Sequence, residues 1–225
     1  GLTDLFVQRA PFGIHIKRGL KSSQEVIAIQ HVSKHTNIPV PRVLDVVENL
    51  FVMTGMEGDV LGDVFSEMSG DEISQVRREL GKVITQLHSI PGNRTVVEGP
   101  LPGLPCCDIN RVDELEFGPF PTTTAFHSYL LERIPPAIPL RQRYALRHPS
   151  SSGSTIRVSG IIDWTCAGWY PSYWEHTKAI YPQRRFKRWT DTWMGIAEDV
   201  IVAEGEKEKY MVKVEVEKEM WRYTI

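Results

Sequence analysis

The segment 156–180, Ile-Arg-Val-Ser-Gly-Ile-Ile-Asp163-Trp-Thr-Cys-Ala-Gly168-Trp-Tyr-Pro171-Ser-Tyr-Trp-Glu175-His-Thr-Lys178-Ala-Ile, constrains the fold more than any other part of the chain. Ser159 to Ile162 reads as a buried strand, and Asp163 stands at its end. A carboxylate there is costly to bury unless a cation or hydrogen-bond donors meet it. The simplest reading of Asp163 is a turn or helix-capping residue ahead of Thr165. The company of Trp164, Gly168-Trp-Tyr-Pro171 and Trp174-Glu175 favours a functional origin instead.

Composition narrows the partners. The 225 residues suffice for one large domain or two small lobes around a cleft, with ample sequence for a core. With 26 basic and 28 acidic side chains and no long run of like charge, no global field draws in nucleic acid or an anionic membrane. A small molecule or a protein is the expected partner. The 3 cysteines, two of them adjacent at Cys106 and Cys107, lack the paired C-x-x-C spacing of a zinc site and fit a reducing, cytoplasmic setting. No apolar stretch approaches a membrane span, and the start Gly-Leu-Thr-Asp lacks a charged region followed by an apolar core. A soluble protein is expected.

The pattern predicts a strand or hairpin over 4–19 and then a helix, opened by the S-x-x-E pattern Ser22-Ser-Gln-Glu25 and stopped at Asn37-Ile38-Pro39. Two strands, 43–47 and 50–53, complete a small sheet packed on that helix, an N-terminal lobe of residues 1–54. Residues 55–61 read as a crossover into a mainly helical lobe, 55–225. A second capping box, Ser69-Gly-Asp-Glu72, opens a helix whose apolar face runs Ile73, Val76, Leu80, Val83, Ile84 and Leu87. Residues 91–121 read as a long functional loop and 122–134 as a helix. Residues 141–147 are expected to form a short basic helix, 149–154 a turn, and 173–180 and 184–204 Trp-rich helices. The charged end, 206–225, is ambiguous between helix and strand.

Several residue types could carry chemistry. Lys17 lies on a predicted strand and Glu25 in the first turn of the next helix, a pair that clamps nucleotide phosphates in a kinase. Taken alone, the pair is ordinary, because a strand lysine usually faces solvent and Glu25 can serve as the capping-box acid. His15, His88, His127, His148 and His176 titrate near neutrality, yet none has triad or metal spacing. The tryptophans from Trp164 to Trp193 could wall an apolar ligand, although aromatics on helices are more often core, and they could equally bury against a second subunit. Cys106-Cys107 reads as structural.

Taken together, Lys17 with Glu25, Asn37-Ile-Pro39-Val-Pro41-Arg-Val, Met53 to Leu61, Gly118-Pro-Phe120 with Phe126-His127, and Gly160-Ile-Ile-Asp163-Trp-x-x-Ala-Gly-Trp-Tyr-Pro171 resemble the fungal branch of the aminoglycoside phosphotransferase and choline kinase-like superfamily. The resemblance runs collinearly over about residues 10–182. It implies an α+β, bilobal, protein-kinase-like fold with a small antiparallel sheet plus helix and a mainly helical remainder. It also implies that Lys17 binds phosphate, Glu25 is its helix partner, Met53 belongs to the cofactor-binding residues, and Asp163 is the metal-binding acid.

One departure governs the function. The family's H-G-D-x-x-x-x-N loop supplies a base and a second metal ligand just before the Asp163 strand. Here that place holds Arg147-His148-Pro149-Ser-Ser-Ser-Gly153-Ser-Thr155, and the acids next upstream are Asp113, Glu114, Glu116 and Glu132. A Gly-rich strand-turn-strand ahead of Lys17 is also lacking. Phosphoryl transfer needs positioning, metal and base together, so ATP and magnesium are expected only as an alternative, with no cofactor as the first expectation. A degenerate kinase-fold protein is therefore expected, whose cleft binds a small organic molecule and catalyses an ATP-independent cyclisation, isomerisation or cycloaddition of a fungal natural product, with Lys17, Asp163 and His148 as its polar groups. The alternatives are a non-catalytic pseudokinase and a phosphotransferase whose lost base is replaced by Asp108 or Asp113.

Overall fold

Alternation at the start of the chain becomes a hairpin. Strands β1 (Phe6–Ala10) and β2 (Ile14–Arg18) pair antiparallel across a 3-10 turn, Pro11–Gly13. In the computed structural model the described residues are 6–19, 22–93, 95–108, 116–132, 144–147, 157–180 and 187–200, together with 208, 211, 212 and 215. The strand-turn-strand ahead of Lys17 is thus present, with Gly13 as the one glycine of its turn. Strands β3 (Val43–Val47) and β4 (Leu50–Thr54) complete an antiparallel sheet of order β1-β2-β4-β3. Lys17 sits in the interior strand β2, in register with Val7 on one side and Phe51 on the other.

Helix α1 (Ser22–His35) follows the hairpin and buries Val26, Ala28, Ile29 and Val32. It stops four residues before Pro39, in the stretch where Pro39 and Pro41 enforce extended backbone. After the sheet the chain crosses through 55–58 into β5 (Asp59–Val60) and the single turn α2 (Leu61–Val64). Helix α3 (Gly70–Ser89) has both halves of the capping box. The Ser69 hydroxyl accepts from the Glu72 amide at 3.3 Å, and the Glu72 carboxylate accepts from the Ser69 amide at 2.6 Å. Its apolar stripe of Val76, Leu80, Val83 and Ile84 packs against α6 (Lys187–Val200), which presents Trp189, Trp193 and Ile196.

A second sheet was only partly legible. Strand β6 (Tyr144–Arg147) lies between β5 and β7 (Arg157–Ile161), antiparallel to both. The short basic helix expected over 141–147 is therefore a strand in its described part. The reason is backbone pairing: β7 takes Tyr144 to Arg147 on one edge and β5 takes Ala145 and Leu146 on the other. Gly160 belongs to β7, and a Cβ there would lie 2.1 Å from the terminal methyl of Met56 in the crossover, so a larger residue would require that side chain to move.

The main core joins α1, β4, α3, β7 and α6. A second, aromatic core gathers Phe117, Phe126, Tyr173 and Trp174 around the long loop, α4 (Thr123–Glu132) and α5 (Ser172–Ile180). The loop is held by isolated bridges, Val97 with Phe120, Glu98 with Trp169 and Cys106 with Phe117. Trp164, Trp174, Trp189 and Trp193 are all buried, which assigns these aromatics to core rather than to a ligand wall. Among the described residues no helix is long and apolar enough to cross a membrane.

Candidate functional site

The two chemically informative ends of the sequence meet at one ammonium group. Lys17 projects from β2 toward the first turn of α1, where its Nζ donates to Glu25 Oε1 at 2.8 Å and lies 2.6 Å from Oε2. The same Nζ donates to Asp163 Oδ1 at 2.8 Å, across 146 positions of chain. Thr165 closes the cluster, its hydroxyl donating to Glu25 Oε2 at 2.7 Å. Glu25 is thus the partner of Lys17, a position the local capping pattern had offered a simpler role.

Local structure explains why these groups converge. An interior strand places Lys17 on the face covered by α1, and the helix begins five residues later, so Glu25 in its first turn lies opposite. Asp163 follows β7 and adopts φ 69°, a left-handed conformation that aspartate tolerates better than most residues. Such backbone costs roughly 1–3 kcal/mol and persists where surrounding structure over-determines it. Here it turns the carboxylate back onto Lys17.

Burial and charge distinguish the members. Lys17 and Glu25 are 5% and 2% exposed, whereas the Asp163 side chain is one-quarter exposed. Burial alone would lower the Lys17 pKa, but the charges and hydrogen bonds of Glu25 and Asp163 outweigh it and hold the ammonium above its ordinary range. One lysine against two carboxylates leaves the cluster with a formal charge of about −1. Lys17 Nζ already meets three carboxylate oxygens, whereas Asp163 Oδ2 takes no hydrogen bond from a described residue and the Asp163 side chain is 25% exposed.

A metal would find few ligands among the described residues. In kinases a strand lysine, a helix glutamate and an acid after a strand hold a metal nucleotide, with an asparagine as the further metal ligand. Among the described residues no three His, Cys, Asp or Glu side chains group to hold an ion. From 133 to 162 the sequence contains no Asp, Glu or Asn, so the stretch immediately before Asp163 supplies no such ligand. What the cluster offers is an acceptor oxygen of fixed orientation in a locally negative site, suited to a hydroxyl or ammonium donor.

The other sequence candidates lie elsewhere. Met53 is buried in the main core and in register with His15. His15 itself is held below its ordinary pKa by burial and by Arg9. His148 and Asp113 fall outside the described residues. His88 meets Glu175 at 2.9 Å, His127 meets the Tyr173 hydroxyl, and His176 is fully buried. Asp108, offered as a replacement base, is 3% exposed and ion-paired with Lys178. That pair went unnoticed in the sequence, although the four-residue spacing of Trp174 and Lys178 is a usable signal: it places the ammonium 4.4 Å from the Trp174 ring. Thr165, the other missed residue, has no local signal.

No protein-family model matches the chain, and no curated protein matches it. Among solved structures, a thermostable mutant of an aminoglycoside phosphotransferase in its apo form is similar at 13% identity and a TM-score of 0.42, covering 99% of this chain and 91% of that one. The ternary complex of such a mutant with AMP-PNP and hygromycin B is similar at 13% identity and a TM-score of 0.41, covering 100% and 91%. At that level the likeness assigns no activity, and the site stands on its own geometry.

Proposed function

We propose that this chain binds a small organic molecule through Asp163, oriented by Lys17 and Glu25, and that it does not transfer phosphoryl groups. The observation that supports this is the Lys17–Glu25–Asp163 cluster beside a stretch, 133–162, without Asp, Glu or Asn. The cluster keeps the part of a kinase-type site that orients a polar group. The adjoining sequence supplies neither the carboxylate base nor the second metal ligand that phosphoryl transfer requires. Asp108, locked to Lys178, does not take that place.

The ligand presents a hydroxyl or amine to Asp163 Oδ2, and the net negative cluster favours a cationic amine. Chemistry left to such a site is independent of ATP. Holding a flexible substrate in a reactive conformation can supply several powers of ten in rate, and a fixed carboxylate can take or return a proton during cyclisation, isomerisation or cycloaddition. A fungal natural product is the substrate class this suits.

A thermal-shift screen of amine- and hydroxyl-bearing metabolites, repeated with Asp163→Asn, tests the proposal. Hits whose shift disappears in Asp163→Asn support it, since a ligand stabilises the fold by RT ln(1 + [L]/Kd). Hits that bind both proteins equally, or ATP consumption with a hydroxylated acceptor, would overturn it.

A further inference from the structure

Two cysteines distant in sequence meet beside the candidate site. Cys166 Sγ lies 3.6 Å from Cys107 Sγ, across 59 positions. We propose that Cys107 and Cys166 form a redox-active dithiol that closes to a disulfide and fixes the turn following Asp163 against the 104–108 segment.

The partners differ as such a pair requires. Cys107 is buried at 1% exposure and rigidly placed, because the Tyr170 hydroxyl donates to its carbonyl at 2.9 Å and accepts from its amide at 3.2 Å. Cys166 is half-buried, the more exposed of the two. It follows Thr165, whose hydroxyl holds Glu25, and lies three residues beyond Asp163. A disulfide bond is about 2.0 Å long, so the sulfurs need to approach by only about 1.5 Å. Cys106, the chain neighbour, is a poor competitor: burial above all pushes its thiol up to about 12, so it stays protonated.

The oxidant is hydrogen peroxide. The Cys166 sulfur attacks the peroxide, the O–O bond breaks, one oxygen leaves as water, and Cys166 becomes a sulfenic acid. The Cys107 sulfur then attacks that sulfenic sulfur, the S–S bond forms, the S–O bond breaks, and the second oxygen leaves as water. Two thiols lose two hydrogens and two electrons, and one hydrogen peroxide becomes two waters. Formation of the bond is independent of the ligand proposed above.

The test treats the reduced full chain with one equivalent of hydrogen peroxide, alkylates the remaining thiols, and maps the digest by mass spectrometry without reductant. The expected product is a peptide joining 107 to 166, with two of three thiols lost and restored by dithiothreitol. Cys106→Ser keeps the crosslink and Cys166→Ser abolishes it. Amide exchange at 164–167 slows at least tenfold on oxidation. A crosslink lost in Cys106→Ser, a Cys166 sulfinic acid beside unmodified Cys107, a disulfide between chains, or unchanged exchange at 164–167 would overturn the proposal.

Discussion

Lys17 and Lys178 are buried almost equally, at 5% and 7% exposure, and each is neutralised by carboxylate. Lys178 forms a closed pair: Asp108 is 3% exposed, and Trp174 covers the ammonium from one side. Lys17 forms an open cluster with two carboxylates, one of which, Asp163, is 25% exposed and carried on left-handed backbone. Burial of charge therefore does not by itself mark a site. Excess charge of one sign, partial exposure and a strained backbone distinguish the cluster proposed to receive a ligand from the pair that joins the 104–108 segment to α5.

The comparison is broken most directly at the closed pair. Lys178→Met removes the ammonium facing the buried Asp108 carboxylate, so a loss of about 3–5 kcal/mol in denaturant unfolding is expected, with ligand binding by the remaining folded protein unchanged. Replacing both members, as in Lys178→Met with Asp108→Leu, recovers most of that loss. A double variant no more stable than the single would show that packing, not the stranded charge, governs the effect.

At the open cluster the same class of change behaves differently. Asp163→Asn keeps the acceptor facing Lys17 and a side chain that tolerates φ 69°, so a loss of about 1–2 kcal/mol is expected from the weakened charge-assisted bond. Ligand shifts should nevertheless vanish. Asp163→Gly separates backbone from charge: relief of strain is offset by the freedom glycine gains in the unfolded chain, so the fall in stability read in denaturant unfolding should report the lost carboxylate.

The alkaline limb of stability sharpens the contrast further. The Lys17 pKa is raised in the folded protein by Glu25 and Asp163. Its stabilising contribution is therefore complete below the unfolded lysine value of about 10.4 and is lost as pH rises through the higher folded value. Urea titrations should show stability falling above about pH 10.5, with a shallower fall in Lys17→Met. The smallest effect belongs to the exposed pair of Arg77 and Asp199, 40% and 57% exposed, where Asp199→Asn should change stability by at most about 0.5 kcal/mol.

What was legible in the sequence follows chain distance. Helix α3 announces itself because Ser69 and Glu72 cap each other within three residues and its apolar stripe is periodic. Lys17 and Glu25 stand eight residues apart and Asp163 ends an evident strand, so the members of the cluster could be named. The role of Glu25 was ambiguous because a local pattern offered it one partner while its actual partners, Lys17 and Thr165, come from β2 and from 140 positions away. Strand β6 was missed because four residues, Tyr144-Ala-Leu-Arg147, show no period, and β5 lies far back in the chain. The contacts of Asp108 with Lys178 and of Cys107 with Cys166 are set by the fold of the long loop, which no residue in it announces.

Calorimetric titration with ATP, with and without magnesium, tests the central claim most directly. Under the proposal, in which the orienting cluster is kept without a base or second metal ligand, no saturable, magnesium-dependent heat is expected at millimolar nucleotide. Magnesium-dependent binding that disappears in Asp163→Ala would contradict the account and restore a working phosphotransferase site.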